Sequence, residues 1–157
     1  MFKKIVVPLD GSSFAEAALP YAQDIAQKFG ATLDLVQVIG TEEMLLSSQP
    51  IDPTGAGAMM FDPGPIIEAE KAEATKYLDG VATRVRATGL TVNTAIPGGS
   101  SGDALVEYAH TNAADLVVVT SHGRSGLGRI VMGSTTDHMI RHLEIPVMVI
   151  RVTEHKK

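Results

Sequence analysis

The chain has 157 residues, 13 basic and 18 acidic side chains (net charge −5) and no cysteine. That length fits one domain able to bury a core without covalent staples. The acidic balance argues against an extended nucleic-acid surface, which needs clustered Lys and Arg. The missing cysteines remove disulfides, thiolate nucleophiles and Cys-based metal sites together. No apolar run approaches the ~20 residues of a membrane helix. Met1 to Val7 is too short for a signal peptide and runs directly into Pro8-Leu9-Asp10. The expectation is a cytoplasmic, unprocessed protein without nucleic-acid or membrane partners.

Lys3 to Val7 is a β-branched run of the type found in buried strands. Asp10 to Ser13 is a turn, and Ser13 with Glu16 predicts a capping box opening a helix to Phe29, closed by Gly30. Pro20 falls inside that helix, where it should kink it or leave a carbonyl unbonded. Thr32 to Ile39 is a second strand. Gly40 to Pro65 carries four of the eight prolines and four glycines without sustained periodicity. It reads as a flexible excursion, either a lid or an interaction segment. Ile66 to Thr88 is a long helix closed by Gly89, Leu90 to Ile96 a third strand, and Ser101 to Ala113 a third helix. Asp115 to Ser121 is a fourth strand. After a Gly-rich loop, Ser134 with Asp137 predicts a capping box for a helix to Leu143. Pro146 to Val152 is a fifth strand.

Alternating strands and helices predict an α/β fold with a parallel sheet and helices on both faces. Ligands of such sheets bind beyond the carboxyl ends of the strands, where strand order reverses. The richest loop there is Thr120 to Ser134, with Gly123, Gly126, Gly128 and Gly133, Arg124 and Arg129. Its glycines let backbone N–H groups approach a ligand, and a helix starting at Ser134 supplies free donors and a positive dipole end. Two standard nucleotide motifs are absent. Gly123 to Gly128 has P-loop glycine spacing, but Arg129-Ile130 replaces the phosphate-binding Lys and the magnesium-binding hydroxyl. Only Gly11 follows the first strand, so there is no dinucleotide fingerprint.

Gly123, nine residues, then Gly133-Ser134 resembles the nucleotide loop of the universal stress protein family. Val7-Pro8-Leu9-Asp10-Gly11-Ser12, Ala114 to Val119, His122 to Gly126 and Ile145 to Ile150 are similar to that family as well. The resemblance covers nearly the whole chain. It implies a single-domain, Rossmann-like open parallel sheet of five strands in the order 3-2-1-4-5. It also implies an adenine nucleotide, ATP or AMP, with or without Mg²⁺ or Mn²⁺. Pro8, Leu9, Asp10 and Val38 would then face adenine and ribose. Val119 and Thr120 would line the ribose and phosphate path, and Gly123, Arg124, Gly133, Ser134 and Thr135 would hold phosphates. The family pattern has a glycine where this chain has Thr120, whose β-branched side chain is bulkier and stiffer. The resemblance further implies a homodimer, formed here across Pro146 to Val152, acting as a stress-response or regulatory factor. No strong catalytic set is legible, so at most slow ATP hydrolysis is expected.

Other constellations compete. A family member that binds no nucleotide and works as an interaction dimer is one alternative. Gly98-Gly99-Ser100-Ser101-Gly102 matches the nucleophile-elbow pattern, with His110, His122, His138 and His142 as bases, so a serine hydrolase using Ser100 is another. Helix capping is the plainer role for Ser100 or Ser101. His138 and His142 have a metal-binding spacing, but Arg141 beside them would repel a cation, and a solvated helix face fits better. Asp10 fits both a ligand contact and a turn cap.

Overall fold

The protein, a computed structural model, is described for residues 1–40, 62–123 and 133–153. The sheet comprises β1 (Lys4–Pro8), β2 (Thr32–Val36), β3 (Val92–Ala95), β4 (Leu116–Gly123) and β5 (Val147–Thr153). Neighbouring residues of a strand point to opposite faces. Ile5, Val7, Leu33, Leu35 and Val118 accordingly join one core cluster, while Val6, Val36, Val117 and Val119 join another. Strands apolar on both sides need cover on both faces. α1 (Ser13–Glu16), α2 (Leu19–Phe29) and α3 (Gly64–Arg86) cover the first, through Ala15, Ala22, Ala26, Leu78 and Val81. α4 (Ser101–Thr111) and α5 (Ser134–His142) cover the second, through Leu105, Ala109 and Met139.

The strand order is β3-β2-β1-β4-β5, all neighbours parallel, as the resemblance implied. Order reverses between β1 and β4. Asp115 ties these strands at their amino ends: its Oδ2 accepts the Lys3 and Lys4 N–H groups at 2.8 and 2.9 Å. Those two donors, Lys3 first, hold its carboxyl below the usual carboxylate range. In mid-sheet, fully buried Asp34 accepts from Asn93 Nδ2 at 2.9 Å and from Tyr108 Oη at 3.1 Å, with Lys4 Nζ 4.0 Å away. Among the described residues no helix is long and apolar enough to cross a membrane.

Several local expectations are corrected. The first helix is two helices: α1 ends at Glu16 and Pro20 lies in the first turn of α2, where its missing N–H has no carbonyl to lose. The cap of α1 is Ser12, whose Oγ accepts the Ala15 N–H at 3.1 Å, so Ser13 and Glu16 form no box. Glu16 reaches α3 instead, pairing with Arg84 at 2.7 Å and accepting from Tyr77 Oη at 3.1 Å. Gly30 does close α2, at φ 66°, with the Ala31 N–H reaching the Ala26 carbonyl at 3.0 Å. β2 stops at Val36, and Ile39 makes only an isolated bridge to Gly98. α3 starts at Gly64, inside the expected excursion; residues 41–61 of that excursion lie outside the described residues.

Candidate functional site

Beyond the carboxyl ends of β1 and β4, where strand order reverses, lies a cavity of about 250 Å³. Pro8 ends β1 and, with Leu9 and Asp10, forms one wall. Val38, just past β2, and Val119 and Thr120 from β4 add to the lining. Gly133, Ser134 and Thr135 close the opposite end. The fold thus brings nine of the expected site residues (Pro8, Leu9, Asp10, Val38, Val119, Thr120, Gly133, Ser134, Thr135) into one concavity. Gly123 ends β4, in register with Thr153 of β5. Arg124, like the rest of 124–132, lies outside the described residues.

Five further linings were not expected from sequence: Phe14 and Ala15 of α1, Val36 at the end of β2, and Ser101 and Leu105 of α4. The approach of the helix residues depends on how α1 and α4 dock, which periodicity does not encode. A sixth, Thr136, was within reach, because Ser134-Thr135-Thr136 is a run of three hydroxyls at a helix start.

The start of α5 is open. Gly133 is the N-cap and no side chain caps the turn, so the expected Ser134–Asp137 box does not form. Asp137 pairs with Arg141 at 2.8 Å instead. The first-turn N–H groups of a helix have no intrahelical partners, and here they belong to residues lining the cavity. With the helix dipole they favour an anion. A Cβ placed on Gly133 would meet nothing within 4 Å among the described residues. One residue beyond Thr120, the Ser121 hydroxyl is buried and has no hydrogen-bond partner among the described residues.

Asp10 serves its turn: Oδ1 accepts the Ser12 N–H at 2.9 Å and the Ser12 hydroxyl, which itself caps α1. It also separates the cavity from a second, more polar hollow of about 470 Å³ bordered by Gln37, Glu70, Glu73 and Tyr77. That side is acidic, and α5 is the end suited to negative charge.

Among the described residues the competing constellations are not assembled. Ser100 occupies the N-cap of α4 with φ −64° and ψ 129°, and its side chain makes no cap hydrogen bond. A nucleophile elbow needs a strained serine; the left-handed backbone here is at Gly99, φ 120°. His138 contacts Asp103 (Nε2 to Oδ1, 2.9 Å) rather than Ser100, and His142 stacks on it with centroids 4.1 Å apart. His138 thus makes a partly exposed interhelical contact, whereas His142 stays on the exposed face of α5 as expected. His110 is exposed in the last turn of α4, and the His122 side chain lies outside the description. No group of three His, Cys, Asp or Glu able to hold a metal occurs among the described residues.

The family model "Universal stress protein family" matches residues 1–151. Among curated relatives, Universal stress protein MJ0531 of Methanocaldococcus jannaschii is 28% identical over 151 residues, covering 96% of this chain and 83% of the relative. Among solved structures, protein MJ0577 superposes with a TM-score of 0.79 at 23% identity, over 99% of both chains. A universal stress protein solved in complex with cAMP gives 0.66 at 22% identity, over 97% of this chain and 98% of its own. An Arabidopsis thaliana family protein with AMP bound gives 0.64 at 17%, over 97% and 93%.

Proposed function

Since the chain belongs to the universal stress protein family, we propose that the cavity between β1, β4 and α5 holds an adenine nucleotide, with ATP its preferred form. The observation that carries this reading is the uncapped start of α5 opening into a cavity at the reversal of strand order. Phosphates sit at residues 133–136, where backbone donors, hydroxyls and the helix dipole converge. Gly123 and Arg124, next along the same loop, complete the phosphate end. Base and ribose lie toward Pro8, Leu9, Asp10 and Val38, and Val119 and Thr120 line the path between. This polarity also keeps the phosphates away from Glu70 and Glu73. The described residues build no metal cage, so Mg²⁺ or Mn²⁺ enters on the phosphates of the nucleotide. That neighbouring folds were solved with cAMP and AMP supports the ligand class.

The protein works as a homodimer through β5, as a nucleotide-dependent regulatory or stress-response factor in the cytoplasm. Among the described residues β5 is an edge strand, paired only with β4, and Met148 is exposed on it. An edge of this kind is a pairing surface that a second copy satisfies by symmetry. One observation favours a second reading. Thr120 is buried at a cavity-lining position where the family pattern has glycine. If its side chain closes the path, the dimer acts without nucleotide.

The deciding experiment is to denature purified protein and identify released nucleotide by chromatography and mass. Stoichiometric ATP or AMP is expected from the wild type. Gly133→Val should fold, because its side chain meets none of the described residues, and should retain none. No released nucleotide, with no thermal shift on adding Mg-ATP or AMP, would sink the binding reading in favour of the interaction dimer.

A further inference from the structure

His138 stands one turn beyond Ser134 on α5, and its ring meets the first turn of α4. A Cβ on Gly102 would lie 2.8 Å from His138 Cγ and Cδ2 and 3.0 Å from its Cβ. Such a distance is not tolerated, so glycine at 102 is what lets the imidazole seat against the α4 backbone. From there Nε2 reaches Asp103 Oδ1 at 2.9 Å. The residues flanking this contact, Ser101 and Leu105 on α4 and Ser134 to Thr136 on α5, line the nucleotide cavity. The contact therefore joins the two helix starts that face each other across the site.

We propose that His138 is a positioning residue for the nucleotide site: seated on Gly102 and paired with Asp103, it fixes the starts of α4 and α5 relative to each other and makes ligand affinity depend on imidazole charge. This rests on the nucleotide reading given above. Among the described residues the ring contacts Asp103 and stacks on His142; the other charged groups on these two helices nearby in sequence are Glu107, one turn along α4, and Asp137 and Arg141 on α5. Asp137 and Arg141 are paired with each other. His142 Nδ1 lies 2.8 Å from the His138 carbonyl oxygen and donates to it. Asp103 is thus the carboxylate in direct contact. Protonation strengthens the pair through charge assistance and tightens the helix contact. Affinity should be higher at the acid side of the interval, about pH 5 to 8, in which imidazoles change charge, and should fall as pH rises through it.

The test is calorimetric titration of Mg-ATP into wild type, His138→Gln, Asp103→Asn, Gly102→Ala, His138→Ala and the Gly102→Ala/His138→Ala double variant, at steps from pH 5.5 to 8. Glutamine keeps a neutral donor and loses the titratable charge. The wild-type advantage over His138→Gln should be about two- to fivefold near pH 6, the most a partly exposed pair transmits, and should vanish by pH 8. Comparing proteins at each pH cancels the titration of the nucleotide itself. Asp103→Asn should flatten the profile in the same way. Gly102→Ala should weaken binding in the wild type and cost nothing once His138→Ala has removed the ring, a non-additivity expected only of groups in contact. Equal affinities of wild type and His138→Gln at every pH, or additive losses, would overturn the positioning role alone. A wild type that binds no Mg-ATP at any pH would overturn the site reading and this inference with it.

Discussion

Asp34 and Tyr108 show how a single buried group stabilises or endangers a sheet. A carboxylate 1% exposed is tolerated because Asn93, Tyr108 and Lys4 surround it. Removing one donor leaves a buried acceptor short of a partner, so Tyr108→Phe should cost about 1–3 kcal/mol in denaturant unfolding. Burial, and then Asp34, pushes the Tyr108 phenol up to about 12, so it remains a donor through neutral pH. Asp115 gives the acid-side counterpart. Its carboxyl is held low by the Lys3 and Lys4 N–H groups. A depressed folded-state pKa contributes stability above the unfolded value of about 3.9, lost as pH falls through the folded one. Asp115→Ala should therefore flatten the stability–pH curve below about pH 4 and lower stability at neutral pH, measured by urea midpoints across pH 2.5–7. None of these partnerships was legible in sequence. Asp34 reads there as one polar residue in a strand, and its donors are 59 and 74 positions away.

Among the elements, the edge strand β5 makes the dimer reading testable. The Val117 N–H bonds the Pro146 carbonyl, and Val117 is in register with Val147. In a parallel ladder the residue in register points its own backbone groups away. The amides of Val147, Val149 and Arg151 thus face outward from β4. Val149→Pro removes an outward donor and leaves the β4 ladder intact. Light scattering after size exclusion should find the wild type dimeric and Val149→Pro monomeric; a persistent dimer would move the interface elsewhere. At this scale sequence and structure diverged mostly at boundaries. Pro20 was expected inside one helix because apolar periodicity continued past it, yet the chain breaks after Glu16 and places the proline where its missing N–H costs nothing. Ser134 was expected as a cap because hydroxyls cap helices locally, yet Gly133 takes that position and leaves the turn open toward the cavity.

For the whole molecule, a ligand that binds the folded state alone must raise its stability. At about 100 times Kd the gain is about 2.7 kcal/mol, which for a domain of this size is roughly 5–10 °C in Tm. Wild type cleared of nucleotide should show that shift with Mg-ATP or AMP, and Gly133→Val should show none; an equal shift in both would place the ligand away from α5. The α/β class and the position of the strands were determined by the sequence alone, because burial on both faces demands runs such as Ile5-Val6-Val7 and Leu116 to Val119. The loop that ends at Gly133-Ser134 was legible too, since glycines before a helix start are a local chemical pattern. Tertiary structure alone decided that Ser101, Leu105, Phe14 and Ala15 share one cavity with Gly133 and Ser134, that Gly102 receives the His138 ring, and that Asp34 finds its donors. Patterns of period two and 3.6 are written along the chain, whereas contacts between elements depend on how faces dock, and docking is set by the packing of the entire core.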